Sequence, residues 1–323
     1  ILMKYKHEFE QIKEKWINFQ KVKENQKIRI RDAAIELNTS EAELLSTKIG
    51  SNVSFLKIDF EKFFDKILEI DKIMFLTRND ILVHEIIVNG NQLSKVNDFI
   101  IYSEKKCPLL AIKLNQIKYS FYEQSSHGKK ELHSVQFFDK AGEAILKIYL
   151  KGNDLDKFIK LKSNYDVEYN YDIQKIIKEK NNQKKIDFEI DYEFSRENNS
   201  RIDTIKYSKV ILRQLLENIS KEKIPIQIHG IGNNTIQYFH GKIKNIIEFG
   251  PWINIIDKNF NLHALEKKIK YNTINRYCEN GENYFSIEFY DNNNSHIFGI
   301  STLKLFPEKF ENILKKIGVI KSA

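Results

Sequence analysis

The chain has 323 residues and is 41% hydrophobic, with 22 Phe and 15 Tyr, enough to bury one large core or two smaller ones. Its 12 Gly and 4 Pro argue against long flexible linkers, and its two cysteines, Cys107 and Cys278, lie outside any disulfide framework or metal-binding spacing. A net charge of +8 suits a solvated surface and calls for no nucleic acid or membrane partner. No apolar run approaches the length of a membrane helix, and the opening ILMKYKHEFEQIKEKW becomes charged too early for a signal peptide. With cysteines that read as buried thiols of a reducing compartment, the expectation is a soluble cytoplasmic protein without a membrane span.

From Tyr5 to Glu24, Phe9, Ile12, Trp16, Phe19 and Val22 fall at helical spacing on an otherwise charged segment. IRIRDAAIELNTSEAELLSTKIG then predicts helix, turn, helix, with Thr39 or Ser40 as cap and Glu43 placed for a capping box. The second of these helices starts acidic and lacks the Arg, Asn or Gln row that reads bases, so nucleic acid is an unfavoured partner. After a helix near Phe60–Ile70 the pattern turns to strands: a hairpin around Asn79-Asp80, then LLAIKLNQIKYSFYEQ. LHSVQFFDKAGEAILKIYL, Leu132–Leu150, alternates on both sides of an Asp-to-Gly turn and predicts another hairpin. A helix from near Asp154 closes this half, and a polar Lys- and Asn-rich stretch runs from Leu161 to about Asn199. YSKVILRQLLENISKE predicts a helix, strands return from Ile226, and FPEKFENILKKIG ends the chain as an amphipathic helix.

The hairpin is written twice. Ile117–Ile148 and Ile269–Ile300 align without a gap, matching Tyr119 with Tyr271, Ser134 with Ser286, Phe137 with Phe289, Asp139 with Asp291 and Ile145 with Ile297. His84 and His229 fall at comparable places upstream. The expected fold is therefore α+β with an internal duplication, each repeat a large antiparallel sheet with flanking helices. The predicted organisation is an N-terminal repeat over 1–160, a polar connecting segment over 161–199 and a C-terminal repeat over 200–323.

Several stretches resemble one family, the haem-utilisation proteins of the HemS/ChuS type, also called hemin-degrading factors. They are RDAAIELNTSEAELL from Arg31, LTRNDILVHE from Leu76, LNQ at Leu114 and SVQFFDKAGEAILKIYLKGND from Ser134. GNNTIQYFHG from Gly232 and PWINIIDKNFNLHALE from Pro251 complete the set. The resemblance implies two sheet-and-helix repeats with haem held in a cleft between the halves. It also implies a role in iron acquisition, in which imported haem is received and then trafficked or degraded. A haem importer and an electron-donating reductase are the partners implied.

In that family a histidine on a helix linking the repeats binds the iron, but here no histidine lies between His133 and His229. Matching the family pattern H-x-F-F-x-L-L-K-R-H-N-L-x-R to YNYDIQKIIKEKNNQKK puts Tyr171 on the ligand and Lys184 on a haem-contacting arginine. A register three residues later puts Gln174 on the ligand instead. A tyrosine phenolate is a known haem ligand, helped here by Lys175 and Lys178 nearby in sequence. His133 and His240 are fallback ligands. The family's distal arginine falls on Ala111, which has no hydrogen bond to offer bound oxygen and puts ring cleavage in doubt. A family tyrosine and arginine at the haem edge fall on Ser301 and Lys304, and Arg276 matches another arginine; Lys304 and Arg276 are candidate propionate partners. His84 and His263 also match family histidines, and their apolar surroundings suit core histidines. Two rivals remain: a binder of a linear tetrapyrrole breakdown product, and a basic nucleic-acid-binding regulatory module.

Overall fold

A computed structural model describes residues 2–23, 28–97, 100–103, 107–168, 200–279, 282–302 and 306–320. The chain divides into two compact units. One takes the described residues of 1–75, 89–92 and 113–187; the other takes 76–88, 93–112 and those of 188–323.

The first unit opens with three helices, α1 (Leu2–Val22), α2 (Ile30–Glu36) and α3 (Glu41–Ser46). The apolar stripe of α1 does what its spacing demands: Trp16 stacks on Phe19 and packs against Ala33, Ala34 and Leu44. The predicted capping box is present. Ser40 Oγ accepts from the Glu43 N–H at 3.3 Å, and Glu43 Oε2 accepts from the Ser40 N–H at 2.7 Å. Every residue of α3 is buried, so this helix is part of a core and not a probe for a DNA groove.

Four antiparallel strands follow in the order β1 (Val53–Leu56), β7 (Tyr119–His127), β8 (Lys130–Phe138) and β9 (Ala144–Leu150). Helices α4 (Phe60–Ile67) and α5 (Leu155–Tyr165) also belong to this unit. Phe63 meets Phe137 edge-on at 5.4 Å, and Phe64 stacks on it at 6.4 Å. On the other face of the sheet, Lys147 of β9 donates to Glu41 of α3 at 2.8 Å. The β8–β9 turn is tied to the same helix. Asp139 Oδ1 accepts from the N–H groups of Ala141 and Glu143, and Gly142 sits at φ 75° where a Cβ would strike Ser40 Oγ.

The chain leaves this unit within β2 (Ile73–Arg78). The second unit then takes β3 (Leu82–Val88), β4 (Leu93–Asn97), β5 (Ile100–Ser103) and β6 (Pro108–Ile112) from the first half of the sequence. From the second half come β10 (Ser200–Tyr207), β11 (Ile226–Gly232), β12 (Thr235–Gly241), β13 (Ile246–Phe249), β14 (Trp252–Ile256) and β15 (Phe260–Ala264). They are followed by β16 (Tyr271–Glu279), β17 (Glu282–Tyr290) and β18 (His296–Thr302), with helices α6 (Leu212–Glu222) and α7 (Pro307–Lys316). One large antiparallel sheet runs β10-β16-β17-β18-β11-β12-β6-β5-β4, and a second array runs β3-β15-β14-β13. Strands from opposite ends of the sequence meet twice here: β6 pairs with β12 and β3 with β15.

The duplication holds at the level of hydrogen-bond register. Tyr119 pairs with Phe138 as Tyr271 pairs with Tyr290, and Gln136 pairs with Lys147 as Glu288 pairs with Gly299. A bulge falls at the same place in each, between Phe137 and Phe138 and between Phe289 and Tyr290. Phe137 and Phe289 are both 0% exposed, as matched core positions should be. The fold is α+β, two repeats of antiparallel sheet and helix. The strands read over Leu109–Gln124 are present as β6 and β7, with a 3₁₀ turn at Leu114–Gln116 between them. One local expectation changes. His84 is not the counterpart of His229: β3 corresponds to β12, which sets His84 against Gln237.

Candidate functional site

Strand alternation divides the large sheet of the second unit into two chemically different faces. Across β16, β17, β18 and β11, the buried row Ile274, Ile287, Ile300 and Ile228 forms one face. One residue along each strand, the row on the other face is Asn275, Ser286, Ser301, Gln227 and, on β12, His240. The next row on that polar face is Thr273, Glu288, Gly299, His229 and Tyr238.

Two positions singled out in the sequence meet on this face. Ser301 lies in the first polar row. Ala111 of β6 pairs with Ile236 of β12, which points the same way as Tyr238 and His240. Of the fallback ligands, His240 shares this face: its ring stacks on Tyr238, its Nε2 lies 3.1 Å from the Pro108 carbonyl, and burial pushes its pKa down. Burial pushes the Tyr238 phenol up. His133 belongs to the first unit, where both ring nitrogens are engaged, by Tyr122 Oη at 2.6 Å and Glu131 at 3.0 Å.

Arg276 pairs with Phe285 and therefore projects to the opposite face, where it forms an ion pair with Asp203 at 3.1 Å. His84 is a core residue, edge-on to Phe260 and fully buried, with a pKa driven down to about 3 by burial and by His229. His263 Nδ1 lies 2.6 Å from Asn254 Oδ1 of the neighbouring strand. Tyr171, Gln174, Lys184 and Lys304 lie outside the described residues.

Sequence reasoning missed a cluster on the same polar face. Glu288 Oε2 lies 3.1 Å from His229 Nε2 and 2.8 Å from His296 Nε2. Among the described residues, these are the His, Cys, Asp or Glu side chains whose donor atoms converge as a group of three, all within 4.8 Å. Burial alone would raise the Glu288 carboxyl, but the attraction and hydrogen bonds of the two histidines outweigh it and hold the group well below the usual carboxylate range. Gly299 makes the room: a Cβ there would come within 2.0 Å of Glu288 Oε2 and 2.3 Å of His229 Cε1. The three side chains come from β11, β17 and β18, so no sequence spacing announces them.

The fold and this face define a duplicated sheet protein whose second repeat presents a polar, aromatic and histidine-bearing surface. The chain belongs to the family described as the haemin-degrading HemS.ChuX domain, which matches residues 38–165 and 202–311. It is 24% identical over 286 residues to the hemin transport protein HmuS of Yersinia pestis, covering 76% of this chain and 79% of that protein. It is 25% identical over 275 residues to the hemin transport protein HemS of Yersinia enterocolitica, with the same coverage of 76% and 79%. The solved structure of the heme degrading enzyme ChuS of Escherichia coli O157:H7 superposes with a TM-score of 0.77 at 20% identity, covering 94% of this chain and 99% of that one. Holo-PhuS, a heme-binding protein from Pseudomonas aeruginosa, superposes with a TM-score of 0.72 at 18% identity, covering 94% and 97%.

Proposed function

We propose that this chain is a cytoplasmic haem-binding protein of haem uptake, which receives imported haem on the polar face of its second unit and hands it on. One observation carries the reading. Ala111 and Ser301, at positions that the family resemblance assigns to haem contact, come from opposite halves of the sequence and share one face with Tyr238 and His240. An aromatic wall beside hydrogen-bonding groups is what a tetrapyrrole needs: apolar contact for the macrocycle and fixed polar contacts for orientation.

Tyr171 is the proposed iron ligand, and Lys184 and Lys304 the proposed partners of the two propionates. Arg276, engaged with Asp203 on the other face, is set outside this group. Haem brings a ferric centre that an anionic oxygen donor can hold. Ala111 presents a methyl group where the family has arginine, and it is 6% exposed, so that position supplies no hydrogen bond to oxygen. This favours binding and transfer over ring opening, with an importer as donor and no reductase required.

Titration of the purified chain with ferric haem, followed by absorbance, tests the proposal. A saturable Soret band that survives raised salt is expected, whereas contacts made through phosphates weaken steeply with salt. Tyr171→Phe keeps the ring and removes the oxygen, so loss of a high-spin, phenolate-type spectrum is expected. An unchanged spectrum removes Tyr171 and points to His240, tested by His240→Ala. Tight binding of a linear tetrapyrrole with no haem spectrum overturns the haem reading.

A further inference from the structure

We infer that His229, Glu288 and His296 form a binding site for a divalent first-row transition ion of the zinc or ferrous iron type. The site shares the polar face proposed for haem, and its donors are none of the residues proposed to touch haem. Two imidazoles and one carboxylate are the donor set that such ions take, and they disfavour magnesium and calcium, which prefer oxygen alone. The spacing fits. Donors that sit about 2.0–2.2 Å from one ion lie roughly 3–3.5 Å from each other. Here each histidine Nε2 stands 2.8 or 3.1 Å from the same carboxylate oxygen, and the rings meet at 70° with centroids 5.5 Å apart. A small outward movement of Glu288 places an ion among the three donors.

The surroundings fit as well. Tyr238 lies beside His229 and Tyr290 beside His296, forming a wall that holds the rings in place. The His229 and Glu288 side chains are 4% and 9% exposed while that of His296 is 21% exposed, which leaves one side for entry and for a water ligand. Gly299 lies beneath the carboxylate, where any side chain would fill the space.

The first repeat supplies an internal control. At the positions of Glu288, His296 and Gly299 it carries Gln136, Ala144 and Lys147, and it pairs that lysine with Glu41. The donors are a property of the second repeat alone and not a requirement of the shared fold.

The test is titration of the haem-free full chain with Co²⁺, read by its visible d–d absorption, with Zn²⁺ as competitor. One equivalent of Co²⁺ with a four- or five-coordinate spectrum, displaced by Zn²⁺, is expected. Glu288→Gln and His296→Ala should each weaken Zn²⁺ by more than about a hundred-fold, beyond the range of outer-shell changes. His7→Ala, at an exposed histidine of α1, should leave binding unchanged. Because buried variants can fail to fold, X-ray absorption at the zinc edge of the wild-type chain gives a second reading: imidazole scattering with nitrogen at about 2.0–2.1 Å is expected. No saturable binding, or binding untouched by Glu288→Gln and without imidazole scattering, overturns the site and leaves a hydrogen-bonded polar triad.

Discussion

In the first repeat, the sheet face turned toward α3 places Gln136 opposite Lys147, and the lysine charge is answered by Glu41 from the helix. In the second, the matching pair is Glu288 and Gly299: the charge has moved onto the strand, its neighbour has lost its side chain, and two histidines answer it. Register and bulge are the same in both. Duplicated backbones thus fix where side chains point without fixing what they do. A buried lysine bound to a helix locks that helix down, since removing either partner strands a charge. A carboxylate between imidazoles, over a glycine, holds a polar space open.

The strongest test of the shared architecture is in the cores. Phe137→Ala and Phe289→Ala should each cost about 3–5 kcal/mol, and by similar amounts, as measured by urea unfolding. Cheap substitution at one site alone would mean that the repeats pack differently despite their common register.

The next effect separates buried histidine from exposed. His84 has its pKa pushed from the ordinary value of 6.5 down to about 3. Its folded pKa lies below its unfolded one, so its contribution is intact above about pH 6.5 and is lost as pH falls toward 3. Across that window the unfolded chain takes a proton that the folded chain refuses, at about 1.4 kcal/mol per pH unit. His84→Leu should flatten stability against pH between 6 and 4 by that slope, checked by denaturant midpoints at several pH values. An unchanged slope would assign acid sensitivity to other groups.

The smallest effect lies at the cap that ties α3 to the first repeat. Ser40→Ala should cost about 1 kcal/mol through loss of the capping box. Thermal unfolding of this variant should shift only slightly, with the 289 side of the molecule unaffected.

Much of this was readable from residue order. The hairpins at Leu132–Leu150 and Tyr284–Thr302 show clear alternation and turns set by Asp139 and Asp291, each of which accepts two backbone N–H groups in the structure. Ser40, Glu43 and the amphipathic α1 follow local rules that need no tertiary knowledge. Strand β10 was hidden because SRIDTIKY carries charge at several positions and sits at a sheet edge, where packing asks little of a side chain. The pairing of β6 with β12 joins residues 123 apart, Ile112 and Thr235, and no periodicity encodes such a choice. The His229, Glu288 and His296 group was invisible for the same reason, since its members become neighbours only through strand register. Lys184 and Lys304 were proposed from resemblance, and Arg276 shows how a matched residue can face away from the rest.

The placement of β3 to β6 sets an order on events in synthesis. These strands emerge from the ribosome early, yet β12 and β15, the partners of β6 and β3, are made only after residue 234. Until then they present unpaired edges to the surroundings, a state that invites association with other chains. A chain truncated after the first repeat would keep those edges for good. The free edge of Pro108–Ile112 is therefore closed only once the second half of the chain has been made.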